Sequence, residues 1–176
     1  MMDSRYRYVT DASILFDAVK GGILHEMFQL PFTFVTSDFI TDRELKNPPF
    51  SEFKSEGLIK EELSGSQINA MSQIRTSHKN LSIYDISAFI LARDHGITLL
   101  TGDNALREYA EASGIQVHGI LWILDELVRN KIITQKDAAI ALQEMLDHEC
   151  RLPKKECDAR FAQWKKDIGY TRLETQ

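Results

Sequence analysis

The stretch Ile97-Thr98-Leu99-Leu100-Thr101 confines this chain more than any other: an almost wholly apolar run of strand length, bounded by Gly96 and by Gly102-Asp103. Such a run does not alternate, so both its faces are covered, as in a central strand of a parallel sheet. Its surroundings fit that reading. Residues 6–9 read as a strand, and Thr10-Asp11-Ala12-Ser13 then opens an amphipathic stretch with Ile14, Leu15 and Ala18 at helical spacing. Gly21-Gly22 stops that helix, residues 23–30 make a short second one, and Pro31 leads into a strand over 32–36. Residues 39–45 read as helix until Pro48-Pro49, and 50–64 are the least regular part, with Gly57-Leu58-Ile59 as a short edge strand. Two helices follow over 67–79 and 82–95, then the apolar strand, a helix over 104–113, a strand over 115–118 and a helix over 120–129.

Strands and helices alternating at this spacing predict a three-layer α/β/α fold with a mostly parallel central sheet and right-handed crossovers. Beyond Ile132 the pattern is all helical: Thr134-Gln135-Lys136-Asp137 has the form of a capping box leading into 138–147, and a second helix covers 154–166. With no internal repeat and no linker, residues 1–132 read as the domain proper and 133–176 as a helical C-terminal extension of it.

A chain of 176 residues, 43% hydrophobic and 27% charged, can bury roughly 70% of its unfolded surface and needs neither disulfides nor metal for stability. Nine Gly and four Pro exclude collagen-like and low-complexity classes. No run approaches the ~18 apolar residues of a membrane span, and residues 1–8 are too polar for a signal peptide, so the expected setting is the cytoplasm, away from membranes. Cys150 and Cys157 are too few for a disulfide framework. The net charge of −5 argues by itself against a nucleic-acid partner. Its distribution is uneven, with 14 basic and 22 acidic side chains in residues 1–150 and seven basic and four acidic in 151–176. That basic tail reads as a contact for RNA or as a solvated helix face.

The sequence lacks G-x-G-x-x-G after the first strand, G-x-x-x-x-G-K, H-E-x-x-H and G-x-S-x-G, which removes the dinucleotide, P-loop, zincin and hydrolase-elbow chemistries. His148, Cys150 and Cys157 match no standard zinc spacing and lack a fourth ligand.

What remains is acidic. Sites in open α/β sheets collect at the carboxyl ends of the strands, and four acids are placed there: Asp11 after the first strand, Glu44 on the helix after the second, Asp85 at the start of the helix before the third, and Asp103 at that third strand's end. Carboxylates gathered in one place repel one another unless cations neutralise them, and hard oxygen donors suit Mg2+ and Mn2+. Each acid also has a local reading. Asp11 and Asp103 stand at helix N-cap positions, while Thr41-x-x-Glu44 and Ser82-x-x-Asp85 have the form of capping boxes. The joint occurrence of all four at one sheet edge favours a shared site.

Val9-Thr10-Asp11-Ala12-Ser13, Thr41-Asp42-Arg43-Glu44-Leu45, Ser82-Ile83-Tyr84-Asp85-Ile86-Ser87-Ala88 and Leu99-Leu100-Thr101-Gly102-Asp103 resemble, in order, the four acidic motifs of PIN-domain ribonucleases. The resemblance covers residues 8–128, and 96–128 is similar to the bacterial branch that includes VapC-type toxins of toxin–antitoxin pairs. It implies a divalent-metal-dependent endoribonuclease that cuts RNA by metal-activated water, leaving a 5′-phosphate and a 3′-hydroxyl. Asp11, Glu44, Asp85 and Asp103 would hold one or two Mg2+ or Mn2+ ions, with Asp11 and Asp85 sharing the principal one, Asp103 completing its shell, and Glu44 holding or orienting the attacking water. Ser13 and Thr101 would fix the carboxylates from behind, unless their hydroxyls serve only the local backbone. The partners so implied are an RNA substrate, an antitoxin protein and a second copy of the chain. Leu106 departs from the family, where an aromatic residue is common, and Asp42 is an alternative to Glu44 in the second motif. Of the cations close in sequence to the acids, Arg43, Lys46, Lys79 and Arg107, one or two are expected on phosphates. Trp122 reads as core, whereas Trp164 either stacks on a base or covers an apolar patch. Two rivals stand beside the nuclease: a catalytically degenerate PIN-like module that binds RNA or protein, and a phosphotransfer domain with Asp11 as nucleophile, disfavoured by Ser13 where a second acid is usual.

Overall fold

The computed structural model describes residues 6–167. β1 (Arg7–Thr10), β2 (Thr33–Ser37), β3 (Ile59–Glu61), β4 (Thr98–Leu100) and β5 (Val117–His118) form one sheet in the order β3-β2-β1-β4-β5. Every neighbouring pair is parallel, with Val9 opposite Val35 and Leu99, and Leu99 opposite Val117. The order runs outward in both directions from β1, so a crevice opens between the carboxyl ends of β1 and β4, where ligands sit in such sheets.

One face of the sheet is covered by α1 (Ala12–Lys20), α2 (Leu24–Met27) and α8 (Ile120–Arg129). The other carries α3 (Asp38–Arg43), α5 (Gly65–Ser77), α6 (Ile83–His95) and α7 (Asn104–Ala112). Being covered on both sides explains the unbroken apolar run: Leu99 and Leu100 are fully buried, as are Val9 and Val35 beside them. Helix α6 contributes seven consecutive buried residues, 86–92, because it lies between the sheet and the layer of α5 and α7. Its start is fixed by a capping box of Ser82 with Asp85 and its end by Gly96, whose φ of 63° is the left-handed conformation glycine supplies without strain.

Two local readings are corrected. Residues 50–64 hold a helix, α4 (Phe50–Glu56), before β3. Thr41-x-x-Glu44 is no capping box: α3 starts earlier, with the Ser37 hydroxyl accepting from the Ile40 N–H at 3.2 Å, and Glu44 sits at its carboxyl end.

The extension is packed against the domain. α9 (Gln135–Asp147) follows a capping box of Thr134 with Asp137 and lies on α1 and α8, and α10 (Lys154–Asp167) lies on α9. Gly21 is needed at the α1–α9 contact, where a Cβ would stand 3.3 Å from the Ala141 carbonyl oxygen and press on Met145. Trp164 is 2% exposed, so it covers an apolar patch and is closed to base stacking. Residues 168–176 of the basic tail lie outside the described residues. No helix of the described residues is long and apolar enough to cross a membrane.

Candidate functional site

Asp11 leaves β1 directly at the crevice. Its backbone N–H donates to the Leu100 carbonyl across the strand pair at 3.1 Å, and its side chain is 4% exposed. A buried carboxylate requires partners, and it has three. Oδ1 accepts from the Ser13 hydroxyl at 2.6 Å and the Ile14 N–H at 3.2 Å, so Asp11 caps α1, while Oδ2 accepts from the Thr101 hydroxyl. The two hydroxyls are themselves held from the β4 side: Ser13 Oγ accepts from the Gly102 N–H at 2.8 Å, and Thr101 Oγ1 accepts from the Asp103 N–H at 3.0 Å. A closed network therefore joins the ends of β1 and β4 around one carboxylate. Gly102 permits it, since a Cβ there would stand 3.1 Å from Ser13 Oγ.

Burial outweighs these donors and, helped by the charge of Asp85, pushes Asp11 up to about 6 from 3.8. Glu44 is pushed up to about 7 from 4.5, first by burial and then by the charges of Asp85 and Asp11. Asp11, Glu44 and Asp85 therefore lie within electrostatic reach of one another. Asp103 stands at the exposed rim, joined to Asp11 only through Thr101.

The local capping roles exist beside this arrangement. Asp85 Oδ2 accepts from the Ser82 N–H at 2.8 Å, and Asp103 Oδ1 accepts from the Leu106 N–H at 2.8 Å. Each cap uses one oxygen. Asp85 Oδ1, Asp103 Oδ2 and both oxygens of Glu44 have no hydrogen-bond partner among the described residues, and none of the four acids forms an ion pair there. Hard, anionic oxygens without a counter-cation suit a divalent ion. Yet no three His, Cys, Asp or Glu side chains among the described residues stand close enough to form a ready cage. Asp85 and Asp103 each spend one oxygen on a helix cap.

Other expected residues are sorted by contact. Asp42 is solvated, accepts from Thr41 and faces Lys60 Nζ at 3.7 Å, which leaves Glu44 as the acid directed to the cluster. Arg107 donates to the Thr101 carbonyl at 3.1 Å, through space left by Gly119. Trp122 is only half-buried: it lies between His118, stacked at 4.4 Å, and Phe32, stacked at 5.7 Å. His148 faces Glu144 and Cys150 faces Asp17, away from any shared centre.

Three features are absent from the strand-end reading. Ser37 and Ser87, both fully buried, lie 2.6 Å apart, and Ser87 Oγ donates to the Tyr84 carbonyl, so the hydroxyl pair staples α6, with Asp85, to the end of β2. Asp17, one turn after Ser13, faces Gly102, where a Cβ would stand 3.8 Å from its Oδ2. It accepts from the Cys150 thiol, and burial and that bond push the thiol up to about 12, so it remains a proton donor. The i, i+4 spacing from Ser13 carried the signal for Asp17. The third feature is a groove of about 760 Å3 that starts at Thr101 and Gly102 and runs beneath the α9–α10 connection.

No functionally curated protein matches the chain. Among solved structures it is similar to a PilT N-terminus domain protein, SSO1118, from the hyperthermophilic archaeon Sulfolobus solfataricus P2, with TM-score 0.51 and 18% identity over 69% of this chain and 93% of that one. It is likewise similar to PAE2754 from Pyrobaculum aerophilum, with TM-score 0.50 and 15% identity over 70% of this chain and 96% of that one. Both likenesses concern the fold alone. A family model described as PIN domain matches residues 7–166, from the first residue of β1 into the last turn of α10, and the chain belongs to the PIN-domain family.

Proposed function

We propose that the chain is an endoribonuclease dependent on Mg2+ or Mn2+, with Asp11, Asp85 and Asp103 as metal ligands and Glu44 beside them. The observation that carries this is Asp11: a buried carboxylate without a cation, held by Ser13 and Thr101 at the one crevice the strand order creates. A structural acid would gain nothing from an environment that raises it to about 6. A divalent ion bound there supplies charge neutralisation for the phosphate and lowers the pKa of a water. The chain's residues do the rest. Ser13 and Thr101 fix both Asp11 oxygens. Glu44 is raised to about 7 by burial and by the charges of Asp85 and Asp11; a cation beside it would favour the carboxylate, which can then hold or orient a water. Asp103 at the rim is free to turn its second oxygen inward.

A second reading, a degenerate module that binds RNA or protein without cutting, is favoured by the Asp85 and Asp103 caps and by the lack of a ready cage. Labelled RNA incubated with and without Mn2+ separates the two. Metal-dependent cleavage to 5′-phosphate products, lost in Asp11→Asn, supports the nuclease; cleavage that survives that change, or no cleavage by the wild type, removes it. A toxin role and an antitoxin partner extend the same reading, and a small DNA-binding protein encoded by the neighbouring gene would support them.

A further inference from the structure

The groove leading from Thr101 is built by two parts of the chain far apart in sequence. One wall is the edge formed by Thr101, Gly102, Asn104, Arg107 and the segment 117–122; the other is Arg151, Leu152 and Pro153 with Glu156 and Arg160 of α10. Its volume of about 760 Å3 lies in the ~300–1,000 Å3 range of clefts that enclose ligands. It opens beside the residue that holds Asp11, so a chain threaded across the carboxylates continues into it.

Its charges differ in availability. Arg160 is committed, with Nε and Nη2 on both oxygens of Asp125 at 2.6–3.2 Å. Arg107 is anchored to the Thr101 carbonyl and is only 3.7 Å from a solvated Glu111 carboxylate, a weak restraint on its charge. Arg151 is exposed and has neither an ion pair nor a side-chain hydrogen bond among the described residues. Its backbone follows Cys150, which is buried and faces Asp17. The same groove presents a flat ring. His118 lines the groove with its inner face on Trp122, interplanar angle 10°, and Trp122 rests in turn on Phe32 at 14°. Burial and the charge of Arg107 lower His118, which keeps the imidazole neutral and suited to stacking.

Given the nuclease reading of the adjoining carboxylates, on which this rests, we propose that the groove binds the single-stranded RNA flanking the cut, with Arg107 and Arg151 on successive phosphates and His118 as a stacking platform for a base. Two guanidinium groups beside a ring platform are the chemistry of single-strand binding, where an unstacked base can reach the ring. The extension thus holds substrate, through Arg151.

Fluorescence anisotropy of a labelled single strand of roughly 12 nucleotides, within common single-strand site sizes, tests this on the full chain in Ca2+. Arg151→Glu, on an exposed side chain, is expected to weaken binding about tenfold and to reduce the salt slope of log K by about 0.7, one phosphate contact. His118→Ala is expected to weaken binding by about tenfold and His118→Phe to restore it, because the platform is a ring. A duplex of the same sequence should bind more weakly and be indifferent to His118. Binding by Arg151→Glu with wild-type affinity and slope, or no binding of the single strand by the wild type, overturns the groove assignment. The nuclease reading fails separately: cleavage in Mn2+ that ignores Arg151 retains the nuclease and removes the groove, while Arg151-dependent binding without cleavage does the reverse.

Discussion

Thr101→Val keeps the shape of a fully buried side chain and deletes the hydroxyl that donates to Asp11 Oδ2 and accepts from the Asp103 N–H. The cost depends on the state of Asp11. Its carboxyl is raised from 3.8 to about 6, so the folded protein holds a proton that the unfolded chain releases between those values. Stability from this group is therefore complete below about pH 4 and is lost as pH rises through about 6; two pH units at 1.36 kcal/mol each make about 3 kcal/mol. Near pH 8, without divalent ions, Asp11 is charged, and losing the Thr101 donor removes a hydrogen bond to a charged group, about 1.5–3 kcal/mol. Near pH 5 the carboxyl is protonated, and the same deletion removes a neutral bond, about 0.5–1.5 kcal/mol. The Asp103 N–H lies by the exposed rim, where water replaces its partner. The substitution should thus cost about 1–2 kcal/mol more at pH 8 than at pH 5, equivalent to raising Asp11 by about another pH unit. Urea unfolding in chelator at both pH values measures it, and carboxyl NMR follows Asp11 directly. A cost equal at the two pH values, or larger at pH 5, would refute the account of Asp11 as a buried charge held by Thr101.

Three further outcomes are expected. In chelator near pH 8, Asp11→Asn should be about 2 kcal/mol more stable than the wild type, since it removes the ionisation cost, and the two should converge only below about pH 4, where Asp11 is protonated in both the folded and the unfolded chain. Thermal shift with added Mn2+ should stabilise the wild type and not the variant. Gly21→Ala should cost about 1–3 kcal/mol, because the new Cβ presses on Met145 and meets the Ala141 carbonyl oxygen of α9; trimming Met145 in the same chain should recover part of that loss, as a double-mutant cycle would show. Trp164→Ala should cost about 3–5 kcal/mol, with hydrogen exchange in α10 and α9 rising before that of β1 and β4.

The central strands were legible to within a residue because burial on both faces leaves an unmistakable composition, as in Leu99-Leu100. Helix α6 was legible because a capping box and a glycine mark both ends. Helix α4 was not: Phe53 is its one buried residue, and Pro49 gives it no side-chain cap, so there is no apolar stripe to read. The cap of α3 was missed because Ser37 ends a strand and caps a helix at once, and a residue with two roles shows neither spacing clearly. Strand ends pointed to the acids, since topology alone brings those positions together. Their rotamers are a different matter: whether Asp85 turns to its cap or to the crevice depends on which neighbours compete for its oxygens, and only the folded geometry lists them. The groove was likewise beyond sequence reasoning, for Arg151 and Arg107 meet only because α9 returns the chain across α1.

That return alters the meaning of the net charge of −5. A polyanion meets local fields, and the fields here are opposite at adjoining places: uncompensated carboxylates around Asp11, and arginines lining the groove beyond Thr101. On the nuclease reading proposed above, repulsion at the first would fall on the phosphate to be cut, so a cation there would be a condition for approach as well as for chemistry. Attraction at the second would fall on the flanking phosphates and persist without any ion. Binding should therefore divide into two parts with different salt behaviour, a divalent-dependent part carried by Asp11, Glu44, Asp85 and Asp103 and a monovalent-screened part carried by Arg107 and Arg151. The same division gives the extension a place in the fold. A domain ending at α8 would keep the carboxylates and lose the groove wall that carries Arg151, and the family match continues through α9 into α10, where that wall stands.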